Sequence, residues 1–416
     1  MIFFTHRNAG GFFSFGCLWI WIVGLMLSSC QPPPPPPPEE VPPQKIVETR
    51  LQPRPWSEIA GVFAADTTLQ TWAGALDQSV SYYKKLSTET KFNFGDRSLT
   101  AGDMVRATQK LAQAARTMSP VDLEKLLNEE FQLFRSPGSE PNGDVLVTAY
   151  YEPLLRGSLK RSKTFHYPLY KRPDDMLEAD LGNWFTDLKG KRLVARFHDG
   201  RLTPYYDRSD IDRNKRLAHR GLELVWVDDE IDAFFLQIQG SGRVMLDNGV
   251  MMRVGYDSAN GRAYRAIGKL LIEEKAISKE DMSMPALREW LKKNPDQMER
   301  VFEYNPSYVF FREIKGGALG NIGVPLTPYR SIATDHRLFP KGAPGILKTF
   351  LPEFAADKKT VQQWRNDVRF VVNQDTGGAI RGPGRVDLFT GFGDEAESTA
   401  GIMKQEGSAL YFIAPR

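Results

Sequence analysis

Cysteine is almost missing: Cys17 and Cys30 are the only two in 416 residues. Beyond residue 30, therefore, nothing is available for a disulfide framework, a thiolate zinc site or thiol catalysis. Histidine is scarce as well, and His6, His166, His198, His219 and His336 show no H-E-x-x-H or comparable spacing, so the common zinc-enzyme signatures are excluded. Charge of neither sign prevails. The 54 basic and 51 acidic side chains leave +3, too balanced to mark a nucleic-acid binder. No G-x-S-x-G and no P-loop occurs. What remains is an ordinary globular composition, 41% hydrophobic and 25% charged, which rules out wholesale disorder, collagen and a polytopic membrane protein. The length suggests two or three domains.

The first residues read as an address. His6 and Arg7 precede Phe12 to Leu27, sixteen residues without a charge. That is short of the ~20 that a spanning helix needs and fits a signal-peptide core. The run ends in Leu27-Ser28-Ser29-Cys30, which resembles a bacterial lipobox, with Cys30 as the lipidated residue. Gln31 follows where an Asp would resemble an inner-membrane retention signal, so the expectation is a periplasmic lipoprotein anchored to the outer membrane. Acyl chains supply that affinity without a transmembrane helix. Pro32 to Pro38 are seven consecutive prolines, with Pro42 and Pro43 beyond. Polyproline II rises ~3.1 Å per residue without internal hydrogen bonds, so this is a stiff spacer.

From Trp56 the pattern turns globular. Thr67 to Lys85, Ala101 to Met118 and Val121 to Phe131 carry helical spacing, the second stopped by Ser119-Pro120. Asp144 to Tyr151, Leu222 to Val227, Ala233 to Gln239 and Tyr308 to Phe311 are predicted strands. Ala263 to Lys275 and Pro285 to Lys293 are predicted helices, the second capped by Ser283. In the tail, short strands at Val368 to Gln374, Val386 to Phe389 and Leu410 to Ala414 alternate with glycine turns, and Asp394 to Lys404 reads as a helix. Such a tail suggests a small β-barrel.

The chemistry lies with carboxylates. Asp375 stands at a strand end, followed by Thr376, Gly377 and Gly378, where backbone is free to approach a ligand. Twelve residues on, Asp387 sits between Val386 and Leu388. Apolar neighbours raise a carboxyl pKa by penalising the charged form, and a second carboxylate adds to this. An acid kept neutral near pH 7 is what protonating a glycosidic oxygen requires. The alternative is a turn-capping Asp375 and a solvent-facing Asp387. Asp375-Thr376-Gly377 also matches the aspartic-protease triplet, but no second copy occurs. Gly240-Ser241-Gly242 lacks the third glycine of a dinucleotide loop.

The same tail resembles the three-aspartate domain of the membrane-bound lytic murein transglycosylase A family. The matching residues are Asp335 before Leu338-Phe339-Pro340-Lys341-Gly342, the turn Asp375 to Ile380, and Val386-Asp387-Leu388-Phe389 running into Gly391-Phe392-Gly393. Upstream, Thr148-Ala149-Tyr150-Tyr151-Glu152-Pro153, Gln237-Ile238-Gln239-Gly240-Ser241-Gly242, Gly261 to Lys269 and Asp281-Met282-Ser283-Met284 resemble further family motifs.

That resemblance implies a mainly β fold with flanking helices: a double-psi β-barrel catalytic domain from 57–155 plus 316–416, interrupted by a mixed β/α insert domain over 156–315. The lipoprotein signal peptide at 1–30 and a proline-rich tether at 31–56 precede it. It implies cleavage of the β-1,4 bond between N-acetylmuramic acid and N-acetylglucosamine in peptidoglycan glycan strands, without water, giving a 1,6-anhydro end. Asp387 would be acid and then base, with Asp375 as its neighbour and Asp335 fixing a turn or lining the groove. Tyr150, Tyr151, Gln239, Gly240, Ser241, Gly377 and Gly378 are the candidate substrate-binding positions. No metal or organic cofactor is implied. Cell-wall synthesis or lysis proteins are conceivable partners, nucleic acid is not. An inverting hydrolase using Asp375 as base, and a non-catalytic peptidoglycan-binding lipoprotein, are the competing readings.

Overall fold

The computed structural model describes residues 50–416 apart from Ala60, Glu140 and Pro141, so the predicted signal segment, Cys30 and the proline run lie outside the described residues. In Val145–Glu152 (β1) the alternation that favours a strand is visible: Val145, Val147, Ala149 and Tyr151 enter one apolar core while Leu146 and Thr148 face away. The same period organises Ser331–Ala333 (β2), Pro344–Phe354 (β3), Val361–Asp375 (β4), Arg385–Phe392 (β5) and Lys404–Pro415 (β6). These strands pair in the ring β3-β4-β2-β5-β1-β6, and β6 pairs back to β3, closing a barrel. The β4–β2 and β5–β1 ladders are parallel and the rest antiparallel. Closure removes the free edges that an open sheet would expose. Strand β3 carried no expectation from the sequence, and β4 begins seven residues before the predicted Val368.

One set of residues, including Val147, Ile332, Leu347, Val371, Leu388 and Phe412, forms a core in which the six strands meet. The opposite face of β3, β4 and β6 (Ile346, Phe370, Val372, Tyr411, Ile413) is covered by Trp72, Leu76, Leu111 and Leu127. These come from the helices Leu69–Tyr83, Ala101–Thr117 and Pro120–Glu130, and the Trp72 ring stacks 4.3 Å from Phe370. Thr100 and Asp103 close a reciprocal capping box on the second helix, and Ser119 caps the third before Pro120.

After Glu152 the chain changes sheets at Pro153. Leu154–Ser158 pairs into a six-stranded sheet with Tyr167–Tyr170, Glu223–Val227, Ser241–Leu246, Met251–Ala259 and Val309–Glu313. A separate three-stranded sheet spans Leu177–Asp180, Arg192–His198 and Arg201–Pro204. Among the contacts that tie this part to the barrel, Arg243 Nε donates to Glu152 at 2.7 Å, and the backbone N–H of Tyr151 donates to Gln239 Oε1 at 3.1 Å. Arg243 also lies 3.6 Å over the Phe392 ring.

One predicted strand is a helix. Ala233 to Gln239 lies in Glu230–Gln239, where Asp229 accepts from Asp232 N–H at the start and Gly240, at φ 80°, ends the last turn. Burial on nearly every side (Ile231, Ala233, Phe234, Phe235, Leu236) gave the run its strand-like apolar continuity, and the caps decided the conformation. Asp229→Ala should therefore cost about 1 kcal/mol in a urea melt. Ala263 to Lys275 also shrinks, to Ile267–Glu273, leaving Gly261 to Ala266 outside the helix.

Candidate active site

Barrel register brings together residues far apart in the chain. The parallel β1–β5 ladder sets Thr148 beside Asp387, the β5–β2 ladder sets Asp387 beside Ala333, and the β2–β4 ladder sets Ala333 beside Asp375. All four occupy one row across neighbouring strands, with the two aspartates about 10 Å apart at the backbone. Side chains in register share a face, here the one turned away from the barrel core. Ala333 between them is buried in a small apolar cluster with Tyr150, Ala318, Leu326 and Phe389.

Asp387 Oδ1 accepts from the Thr148 hydroxyl at 2.7 Å. Its carboxyl is hemmed in by protein, and the residue is only partly exposed. Burial pushes it up to about 6, and Asp375 adds to the rise while Thr148 and the Arg385 charge oppose it. Asp375 is also raised by burial, although it accepts from the Tyr150 hydroxyl at 2.7 Å, from Asn321 N–H at 2.9 Å and from Thr376 N–H at 2.8 Å. Both of its oxygens are thus occupied, whereas no donor among the described residues reaches Asp387 Oδ2.

The other sequence candidates divide. Tyr150 is 9% exposed, with its ring 5.3 Å from Phe389 and its hydroxyl on Asp375, so it positions a carboxylate rather than offering a face to sugar. Tyr151 points into the barrel core at 3% exposure, which excludes the sugar stacking expected of it. Gln239 is engaged at the Tyr151 backbone, Gly240 serves as the helix terminus, and Ser241 is buried at a strand start. Asp335 is fully buried and held by Arg337 (Nη2 at 2.6 Å) and by Gly382 N–H at 2.9 Å. Those donors outweigh burial and hold its pKa far below the usual carboxylate range, which makes it the anchor of a loop. Neither Gly377 nor Gly378 has positive φ, so their contribution is room rather than torsion.

Tyr264, quoted within a motif but not singled out in the sequence, faces this room. A Cβ on Gly378 would stand 3.6 Å from the Tyr264 Cβ, and Asp387 adds to the burial that raises the Tyr264 phenol. Tyr264, from a loop of the second sheet, therefore stands near both Gly378 and Asp387. Thr148, Arg385, Asn321 and Ala333 were likewise not singled out. Only strand register, which a single sequence does not display, places them. Among the described residues no group of three or more His, Cys, Asp or Glu converges as a metal site. Tyr150→Phe would leave Asp375 short of a donor to its charged form. We expect a roughly tenfold loss of activity with an unchanged melting temperature to within a few degrees.

Comparison with known proteins agrees with this architecture. The family model described as the MltA specific insert domain matches residues 146–312, and that described as the 3D domain matches 330–413. The membrane-bound lytic murein transglycosylase A of Vibrio cholerae serotype O1 is 30% identical over 273 residues, covering 65% of this chain and 66% of the relative. The match thus spans just under two thirds of that relative's length. The crystal structure of a membrane-bound lytic murein transglycosylase from Agrobacterium tumefaciens superposes with a TM-score of 0.74 at 28% identity, over 88% of this chain and 98% of that one. The lytic transglycosylase LtgG of Burkholderia pseudomallei is 33% identical over 88% of this chain and 96% of its own, with a TM-score of 0.51. With both domains matched in order around the aspartate row, the chain belongs to the membrane-bound lytic murein transglycosylase A family.

Proposed function

We propose that this protein is a lytic transglycosylase that cleaves the β-1,4 bond between N-acetylmuramic acid and N-acetylglucosamine in peptidoglycan, with Asp387 as its single acid and base. The observation that carries this reading is the raised, partly buried Asp387 carboxyl with one oxygen unclaimed. Protonated, Asp387 gives its proton to the bridging oxygen as the C1–O bond breaks. As a carboxylate it then takes the proton of the muramic acid C6 hydroxyl while that oxygen bonds to C1. The proton returns to where it began, no water is consumed, and the product carries a 1,6-anhydro ring. An intramolecular nucleophile makes a second base unnecessary. The state of Asp375 supports this: with three donors on its two oxygens, it is poorly suited to activate water. Its role in this reading is to add negative potential that keeps Asp387 protonated.

The barrel is read as double-psi, with 156–315 as the insert domain. The lipobox at Cys30 and the proline spacer support attachment to the outer membrane from the periplasmic side. The deciding experiment incubates the chain lacking residues 1–30 with purified peptidoglycan and resolves the products by liquid chromatography and mass spectrometry. Anhydro-ended muropeptides, one water lighter than hydrolysis products, are expected. Reducing ends would mean a hydrolase, and binding without products a tethering protein.

A further inference from the structure

The row of side chains on β5 and β1 turned away from the barrel core contains more than the acid. Arg385 and Asp387 are two residues apart on β5 and share a face, and Thr148 stands in register with Asp387 on β1. Arg385 Nη2 donates to Thr148 Oγ1 at 3.3 Å, and Thr148 Oγ1 lies 2.7 Å from Asp387 Oδ1. A hydroxyl has one proton to give and lone pairs to receive. Guanidinium cannot accept, so the arginine occupies a lone pair and the hydroxyl proton must turn toward the carboxylate. We infer that Thr148, oriented by Arg385, is a positioning residue that holds Asp387 Oδ1 as a permanent acceptor and leaves Oδ2 as the oxygen that delivers and recovers the catalytic proton.

This inference rests on the transglycosylase reading and refines it. A single carboxyl that acts first as acid and then as base must return to the same geometry in both states. Free rotation about the terminal torsion would let either oxygen carry the proton, and half of the orientations would aim it at the barrel wall. The Thr148 hydrogen bond removes that ambiguity. It also stabilises the carboxylate that forms when the proton leaves, as a donor to a charged acceptor does. Strands rather than loops carry all three side chains, which gives the precision such a geometry needs. The charged and titratable groups facing Asp387 are Arg385 on its own strand, Asp375 on β4, Tyr150 on β1 and Tyr264 from the second sheet's loop. Of these, Arg385 favours the carboxylate and Asp375 opposes it.

The sign of the expected effect follows. Thr148 and Arg385 both favour ionised Asp387, so losing either raises the pH at which the acid loses its proton. Thr148→Val, which keeps the branched shape, should lower kcat roughly tenfold or more and move the falling limb of the kcat/KM profile up by roughly one pH unit. Thr148→Ser should restore both, since serine keeps the hydroxyl. Arg385→Gln should move the limb in the same direction as Thr148→Val. In parallel, the Asp387 carboxyl of carbon-13-labelled protein is titrated by NMR in wild type and in the serine and glutamine variants, a readout that does not need the valine variant to fold. Wild type is assayed first for anhydro products. Its failure there would overturn the transglycosylase reading itself. With an active wild type, a limb that does not move in Thr148→Val, a limb and a carboxyl titration that do not move in Arg385→Gln, or a Thr148→Ser variant as impaired as valine, would overturn the positioning role.

Discussion

Asp387→Asn should abolish turnover, by about 10³-fold or more, because in the proposed reaction one side chain supplies both the acid and the base. The asparagine is nearly isosteric and can still accept from Thr148, so KM for glycan should change little while kcat collapses. The pH dependence of the wild type provides an independent check. Since the acid must begin protonated and burial pushes its pKa up to about 6, kcat/KM should fall as pH rises through that value. Stability should move in the same direction. A carboxyl whose folded pKa is raised binds its proton more tightly in the native state, so the native fold loses stability as pH climbs from the unfolded value near ~3.9 through the folded one. At pH 7 the asparagine variant, which has no charge to bury, should melt no lower than wild type. A variant that is inactive and also markedly destabilised would mean that Asp387 is structural.

The largest stability effect is expected on the far side of the barrel. Arg330 is 1% exposed and Asp66 6%, joined by paired guanidinium–carboxylate hydrogen bonds, one of them at 2.7 Å. The remaining guanidinium protons go to the carbonyls of Phe370 and Thr68 and to the hydroxyls of Thr71 and Thr68. In turn Asp66 accepts from the Phe370 N–H at 3.0 Å, so the pair joins the segment before the first long helix to β4. Asp66→Ala would leave a buried cation without its counter-charge, for an expected loss of about 3–5 kcal/mol in a urea melt. Burial alone would raise the Asp66 pKa, but the Arg330 hydrogen bonds and charge, with the two backbone donors, bring it below the usual value. This is the depressed case. The pair's contribution is present above the unfolded pKa of ~3.9 and is lost as pH falls through the folded one. The gap between wild type and variant should therefore shrink on acidification below about pH 4. A gap that stayed constant down to pH 2 would show that Asp66 acts through packing rather than charge.

Much of this molecule can be read from its residues, because the relevant physics is local. Alternating apolar residues made β1, β5 and β6 legible, while Ser283 marked a helix start through a hydrogen bond that reaches only three residues. Asp387 stood out because its strand neighbours are apolar, and a carboxyl there must meet a desolvation cost wherever the strand ends up. The order of the motifs carried the family. Ala233 to Gln239 was misread since uniform burial erases both periods, leaving Asp229 and Gly240 as the only local signal.

What only the tertiary structure decided is which side chains share the aspartate row. Thr148 precedes Asp387 by 239 residues and Tyr150 precedes Asp375 by 225, yet each pair is within 2.7 Å. Ladder register does this, and register is set by closure of the whole ring rather than by any strand's own residues. The same holds for burial: Tyr150 and Tyr151 are adjacent in sequence and alike in chemistry. The two-residue period of the strand sends one toward Asp375 and the other into the barrel core.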